Sequence, residues 1–428
     1  MHNEPIEFIK EHFNIDEKII KISQEVIEEL KESFLEIDRT EEYNQYKVIN
    51  AMVKNELSDY CLVESTGYGY NDLGREMVEK IYKSVFRSED ALVRPQIISG
   101  THALTICLFG ILRPGDELIS VTGEPYDTLK DVIEGENNGS LKDFNIKFKK
   151  IDFRNGEIDF ESIKKNINKN TKMVLIQRSR GYSLRPSLSV LEIGKIIKFI
   201  KNINEKIICL VDNCYGEFVE EIEPTEVGAD LCAGSLIKNP GGGITPTGGY
   251  ITGKKNLVEL CSYKLFAPGI GKNCGPSILP NRLIIQGLFY APKVVSEAKK
   301  GALFISCLFE KLGFEVFPKK EEKRSDIVTA ILLKNKETLI EFCKGLQKVG
   351  PVDSHVTPEP WDMPGYNHQV IMAGGSFVQG ASIELSADAP IREPYVVYVQ
   401  GGTSFYHIKL GILCALQNLN EKNLIEFP

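Results

Sequence analysis

A chain of 428 residues is too long for one small core and predicts two or three domains. Hydrophobic residues make up 42% and charged residues 26%, as in an ordinary globular protein. The balance of 51 basic against 59 acidic side chains leaves a net charge of −8, which argues against a general nucleic-acid binder. Ten cysteines without a CxxC pair, six scattered histidines, no apolar leader and no run near ~20 apolar residues predict a reduced, cytoplasmic chain with no built-in metal site and no membrane span.

Residues 1–58 carry Ile19, Ile20, Val26, Ile27 and Leu30 at helical spacing and predict an arm of two helices. A loop of glycines and tyrosines follows from Leu62 to Asp72, then a helix from Gly74 to Phe86. From 91 to 253, predicted strands at 96–98, 117–121, 173–176, 207–211 and 249–252 alternate with predicted helices at 103–112, 126–133, 160–167 and 190–203. Such alternation builds βαβ units and a mainly parallel sheet, which binds ligands at the carboxyl ends of its strands. The basic runs Lys147, Lys149, Lys150 and Lys319, Lys320, Lys323, Arg324 lie among acids and read as solvated faces. Residues 254–290, with Pro268, Pro276 and Pro280, read as irregular. A helix from Pro292 to Leu312 then leads into a smaller α+β domain, with strands at 327–333, 370–373 and 382–385 and helices at 338–349 and 406–419. Its loop Pro351–Pro364, which holds the single tryptophan Trp361, reads as loop packing. The expected organisation is a helical arm over 1–58, a large α/β domain over 59–290, and a bridging helix with a small C-terminal domain over 291–428.

The chemistry concentrates on the stretch LCAGSLIKNPGGGI, where Lys238 ends an apolar run that reads as a buried strand. Burial favours the neutral amine, the form that condenses with aldehydes. Upstream, Ser99-Gly100-Thr101-His102-Ala103 follows the predicted strand 96–98 and opens a helix, an arrangement that presents backbone N–H groups to a phosphate. Tyr126, just past strand 117–121, is placed to stack on a flat heterocycle. Asp212 ends the apolar run Ile208–Val211, where a carboxylate in low dielectric demands a cationic or N–H partner. Ser235, three residues before Lys238, offers a further hydroxyl to the phosphate. Each piece alone also has a plain structural reading: helix cap, turn cap, packed ring. In this order on one βα scaffold they describe a site for pyridoxal 5′-phosphate, which a lysine holds through a Schiff base while an acid faces its ring nitrogen. Arg392, in Asp388-Ala389-Pro390-Ile391-Arg392-Glu393-Pro394-Tyr395, is the candidate for binding a substrate carboxylate.

The segments ESTGYGYNDLGRE, SGTHAL, GDELISVTGEPYDTL, VDNCYGEF, GSLIKNPGGGI and DAPIREPY resemble the fold-type I pyridoxal-phosphate enzymes of the cystathionine/methionine trans-sulfuration superfamily. The branch they resemble most is that of the cystathionine β-lyase-like and methionine γ-lyase-like "aluminium resistance" proteins. The resemblance implies the PLP-dependent transferase-like fold, with a mainly parallel seven-stranded sheet and a smaller C-terminal α+β domain. It implies Lys238 as the Schiff-base lysine and proton shuttle, Asp212 on the pyridine nitrogen and Tyr126 over the ring. Gly100, Thr101 and Ser235 would meet the phosphate, with His102 in the same turn. Tyr68 would reach the phosphate across an interface, making a dimer the active unit and a homotetramer the usual assembly. The activity implied is carbon–sulfur lysis of an amino acid such as cystathionine or methionine. Another activity of the same fold type (an aldolase, decarboxylase or synthase) and an indirect role in aluminium tolerance stay open. Three positions depart from the superfamily pattern. Ile237 replaces a hydroxyl residue before the lysine, Gly69-Tyr70 follows Tyr68 where an arginine is usual, with Arg75 too far along to serve, and His102 stands where a small or apolar residue is usual.

Overall fold

The computed structural model describes residues 4–278, 281–363 and 365–427; Pro280 and Pro364 lie outside them. The chain divides into two compact units, 42–292 and 1–41 with 293–428. The N-terminal segment expected as a two-helix arm is three helices, Glu4–Phe13, Glu17–Glu29 and Lys31–Lys54. The division between units falls within the third.

The unit 42–292 is built on a seven-stranded sheet. Its strands are β1 (Asp90–Arg94), β2 (Glu117–Ser120), β3 (Lys147–Lys150), β4 (Thr171–Gln177), β5 (Ile208–Asp212), β6 (Leu231–Ser235) and β7 (Gly249–Gly253), in the order β1-β7-β6-β5-β4-β2-β3. β7 runs antiparallel to both its neighbours, and every other pairing is parallel. Alternation along the central strands makes two cores. Met173, Leu175, Ile208 and Leu210 face the helices Gly100–Ile111, Asp127–Glu134 and Lys255–Leu265. Val174, Ile176, Cys209 and Val211 face Phe160–Asn166 and Val190–Ile203. With helices on both faces, the strands read as continuous apolar runs.

Three features of this unit differ from expectation. The first strand is Asp90–Arg94, not 96–98: past Pro95 the chain turns, Ile97 N–H bonds back to the Arg94 carbonyl at 3.3 Å, and Ile98 is exposed. Arg94, buried at the strand's end, is paired with the buried Glu79. The run 147–150 is an edge strand, whose lysines suit a position that must not recruit another strand. The stretch read as irregular contains the helix Lys255–Leu265, and the following long helix starts at Asn281, with Pro292 inside it.

The second unit carries an antiparallel five-stranded sheet. Its strands are β8 (Val316–Phe317), β9 (Val328–Leu332), β10 (Val370–Ala373), β11 (Ser386–Pro390) and β12 (Val396–Gln400), in the order β10-β11-β12-β9-β8. β11 replaces the expected strand 382–385, and β12 was not foreseen. One core unites Ile331, Val397 and Val399 with Phe342 and Leu346 of the helix Lys336–Gln347, Ile412 and Leu416 of Phe405–Glu421, and Ile19 and Val26 of Glu17–Glu29. Among the described residues no helix is long and apolar enough to cross a membrane.

Candidate active site

The carboxyl ends of β2, β4, β5 and β6 gather most of the predicted residues. Asp212 closes β5 and is only 7% exposed. Its Oδ1 accepts the Cys214 N–H at 3.1 Å. Burial raises the pKa of its carboxyl, against the lowering pull of Lys238 and the Cys214 N–H. A protonated partner laid against it would restore the charged form.

Lys238 lies three residues beyond β6 and caps the short turn Asn239–Gly241. Leu236 and Pro240 are buried around it. Its Nζ stands 3.9 Å from the centroid of the Tyr215 ring. The expectation of a lysine depressed by burial is corrected here. Burial alone would lower the ammonium, but Cys214, Tyr215 and Asp212 outweigh it and hold the pKa above that of a free lysine. Burial pushes the Cys214 thiol itself upward, so it is uncharged near neutral pH, which leaves Asp212 and the hydrogen bond with Tyr215 as the groups that favour the ammonium. Tyr215 escaped the sequence reading. It reaches Lys238 through a left-handed backbone, φ 71°, in the turn after β5. The available signal was its place three residues after Asp212 in VDNCYGEF.

Gly100 opens the helix Gly100–Ile111. The Ser99 hydroxyl caps it by accepting the His102 N–H at 3.0 Å. A Cβ on Gly100 would lie 3.0 Å from Cys214 Sγ and 3.5 Å from the Ser235 Cβ. The structure therefore brings the helix start, the β5 turn and the end of β6 together, although the strand before the helix is not the one expected. Ser235 is buried, and its hydroxyl accepts the Ile237 N–H at 3.3 Å. The Thr101 and Thr128 hydroxyls share a hydrogen bond of 2.7 Å, joining this helix to the one that starts behind Tyr126. His102 is engaged locally: its Nδ1 accepts the Ile98 N–H at 3.2 Å, and burial lowers its pKa.

Tyr126 sits after β2 at the N-terminus of Asp127–Glu134, and its N–H donates to Gln177 Oε1 at 2.9 Å. Gln177 ends β4 and donates through Nε2 to the Ser179 carbonyl at 3.1 Å, so β4 positions the Tyr126 backbone. The Tyr126 and Tyr182 rings meet edge to face with centroids 6.1 Å apart. The loop holding Tyr68 is fixed from beneath. Buried Arg75 donates to the carbonyls of Gly69 and Gly275, the latter at 2.9 Å, and the Gly275 N–H donates to the Tyr68 carbonyl at 3.0 Å. Arg75 thus shapes this loop instead of replacing the arginine usual after Tyr68. The Tyr68 ring is 72% exposed and stacks on Tyr70 at 5.3 Å. Arg392 belongs to the other unit, in the turn between β11 and β12, where the Tyr395 N–H bonds to its carbonyl at 2.8 Å.

The model of one protein family, methionine gamma-lyase, matches residues 19–420. The chain belongs to that family. Within it, the chain is 51% identical over 413 residues to the uncharacterised protein YnbB of Bacillus subtilis, covering 96% of this chain and 98% of that one. The crystal structure of a carbon–sulfur lyase involved in aluminum resistance from Clostridium novyi NT superimposes with a TM-score of 0.94 at 49% identity, over 98% of this chain and 100% of that one. The pyridoxal-5′-phosphate-dependent protein YhfS of Escherichia coli, at 14% identity, shares the fold, with a TM-score of 0.61 over 90% of this chain and 97% of that one. The fold is therefore that of the fold-type I pyridoxal-phosphate enzymes: a large, mostly parallel sheet unit and a second unit with a smaller sheet.

Proposed function

We propose that this chain is a pyridoxal-phosphate-dependent carbon–sulfur lyase acting on a sulfur-containing amino acid, with Lys238 as the covalent anchor of the cofactor. The observation that carries the reading is the juxtaposition of Lys238, its Nζ over the Tyr215 ring, with the buried carboxyl of Asp212. Family membership and the carbon–sulfur lyase of Clostridium novyi support it.

The residues fit the cofactor on grounds of their own. A Cβ on Gly100 would meet Cys214 Sγ and the Ser235 side chain, so the glycine keeps the helix start open, and the first N–H groups of a helix have no partner within it. In this reading Gly100, Thr101 and Ser235 would hold the phosphate, Tyr126 would stack on the ring and Asp212 would hold the ring nitrogen. The bound cofactor would supply an aldehyde for the substrate amine and a protonated ring that takes up electrons. Asp212 keeps the proton on that nitrogen, since a buried carboxylate is stable only against a cationic partner. Lys238, held in place by Tyr215, would move the proton at the substrate α-carbon. Arg392 anchors the substrate carboxylate by its bidentate fork. The active unit is a dimer, in a tetramer as the superfamily resemblance implies, and the chain is cytoplasmic.

The deciding experiment is borohydride reduction of the yellow protein followed by peptide mass mapping. The expected result is a pyridoxyl adduct on Lys238 and none in Lys238→Ala. A protein that takes up no cofactor, or an adduct on a different lysine, would sink the assignment. Assays with cystathionine, methionine and cysteine then read the substrate from released keto acid. Absence of keto acid from all three by a correctly labelled protein would redirect the reading to another fold-type I activity.

A further inference from the structure

We propose that Glu217 is a positioning residue that holds Lys238 and Asp212 in register, an inference that rests on Lys238 being the covalent anchor. Glu217 is fully buried and belongs to none of the groups assigned above. Its backbone carbonyl accepts from Asn239 Nδ2 at 2.9 Å, and Asn239 directly follows Lys238. Its Oε1 accepts from the Tyr250 hydroxyl at 2.7 Å. That hydroxyl accepts in turn from Asn213 Nδ2 at 3.3 Å, and Asn213 directly follows Asp212. Asn213 is pinned on its far side, where Nδ2 donates to Glu223 Oε2 at 3.0 Å and Oδ1 accepts from Arg178 at 2.8 Å. One residue therefore links the two, its carboxyl reaching through Tyr250 to the residue behind the acid and its backbone carbonyl holding the residue behind the lysine, so the side chain fixes where that carbonyl sits.

β6 packs closely on the Glu217 carboxyl. β6 passes it at Gly234, where a Cβ would lie 2.6 Å from Oε1 and 2.7 Å from the Tyr250 ring. Glu217 Oε2 and Asn239 Oδ1 are both buried without a hydrogen-bond partner. An oxygen left in that state costs about 1–3 kcal/mol, so this carboxyl is not explained by stability. Burial pushes it up to about 8, against the Tyr250 hydrogen bond, so near pH 7 it is mostly the neutral acid. A neutral acid fixes geometry without adding a second negative charge beside Asp212. Displacing a reacting group by about 1 Å can cost on the order of a hundredfold, so such a tie has a measurable consequence.

The test uses the full-length wild type with Glu217→Ala, Glu217→Gln and Tyr250→Phe. Three quantities are read: affinity of the apoprotein for pyridoxal phosphate by absorbance, the rate of borohydride-trapped labelling at Lys238, and the Tm of the apoprotein. We expect Glu217→Ala to weaken affinity and slow labelling about tenfold or more. Glu217→Gln, which keeps the acceptor for Tyr250, should recover both to within about threefold. Tyr250→Phe should act in the same direction as the alanine, since it removes the bridging hydroxyl; it carries the test if Glu217→Ala does not fold. Wild-type affinity and labelling in the alanine and phenylalanine variants would overturn the proposal while leaving Lys238 as anchor. So would a Glu217→Gln loss as deep as that of alanine. A wild-type protein that labels elsewhere or binds no cofactor would overturn the functional reading itself, and this proposal with it.

Discussion

Asp212 and Glu217 are acids held away from their ordinary titration by burial, and the sign of the shift fixes what they do to stability. For each, the folded-state pKa lies above the unfolded one, so the folded protein binds the proton more tightly. Stability of the apoprotein is then full below the unfolded pKa, falls as pH rises between the two values, and levels off above the folded one. For Glu217 that window runs from the ordinary carboxyl range to about 8. Asp212→Asn should therefore melt at a higher temperature than wild-type apoprotein at neutral pH, with the gain disappearing in acid, while turnover is lost. Thermal melts of both apoproteins at pH 4 and pH 7 check it; a lower Tm for the variant at pH 7 would contradict the buried-acid reading. Rates should separate Asp212 from Tyr126. Asp212→Ala removes the acid proposed to hold the ring proton and should cost about a hundredfold or more in kcat. Tyr126→Phe keeps a ring whose stacking is worth only about 0.5–1.5 kcal/mol and should cost less than tenfold. Steady-state kinetics of the two variants decide it, and equal losses would undo the assignment. The places of Asp212 at the end of β5 and of Tyr126 and Lys238 a few residues past β2 and β6 could be read from the sequence because an apolar run leads toward each, although β6 ends at Ser235 and not next to Lys238. That of Tyr215 could not, because its contact with Lys238 depends on a left-handed turn that no periodicity reports. The raised pKa of Lys238 was hidden for the same reason, since the groups that oppose its burial, Cys214, Tyr215 and Asp212, meet it only through the turn after β5.

Among elements, the interior strands of the large sheet could be read from sequence, because burial on both faces leaves unbroken apolar runs. The edges could not. β1 ends in Arg94, whose charge is satisfied by Glu79 of the preceding helix Leu73–Val85, a pairing that no periodicity reports, and β3 carries lysines that look like any solvated run. The apolar Ile97 and Ile98 drew the reading into the following turn, although only Ile97 is buried. The helix Gly100–Ile111 was nonetheless placed correctly, because the Ser99 cap and the apolar run behind it are local signals. That helix makes a testable element of the site. Gly100→Ala is compatible with helical backbone, but its Cβ would press on Cys214 Sγ at 3.0 Å and narrow the approach to Ser235. Affinity for pyridoxal phosphate should fall about tenfold or more, with a Tm change of only a few degrees in the apoprotein. Cofactor titration beside a thermal melt reads both, and an unchanged affinity would remove this helix start from the phosphate site.

At the scale of the whole molecule, the Tyr68 loop combines a firmly held backbone with exposed aromatic rings. Its backbone is fixed by Arg75, by the Asp72 cap of the helix Leu73–Val85 and by Ser277, whose hydroxyl donates to Asp72 Oδ2 at 2.5 Å. Its side chains are nevertheless turned to solvent, with Tyr68 and Tyr70 stacked on each other and Tyr60, Val63 and Leu73 exposed nearby. Anchoring a loop this firmly while exposing its aromatic rings makes sense if the rings are presented to a second copy of the chain. If Tyr68 serves the partner's site, a chain lacking Tyr68 and a chain lacking Lys238 are complementary. Tyr68→Ala and Lys238→Ala would each be inactive as homodimers. In a mixed dimer, one site combines both lesions and the other has neither. Random reassociation at equal concentrations makes half the dimers mixed, so activity should return to about a quarter of wild type. Because each Lys238→Ala subunit lacks its anchor, the restored activity must come from the Tyr68→Ala subunit, and reduction should place the pyridoxyl label there alone. Mixing under conditions that exchange subunits, followed by assay and label mapping, decides the matter. Continued inactivity after demonstrated exchange would mean that Tyr68 acts within its own chain.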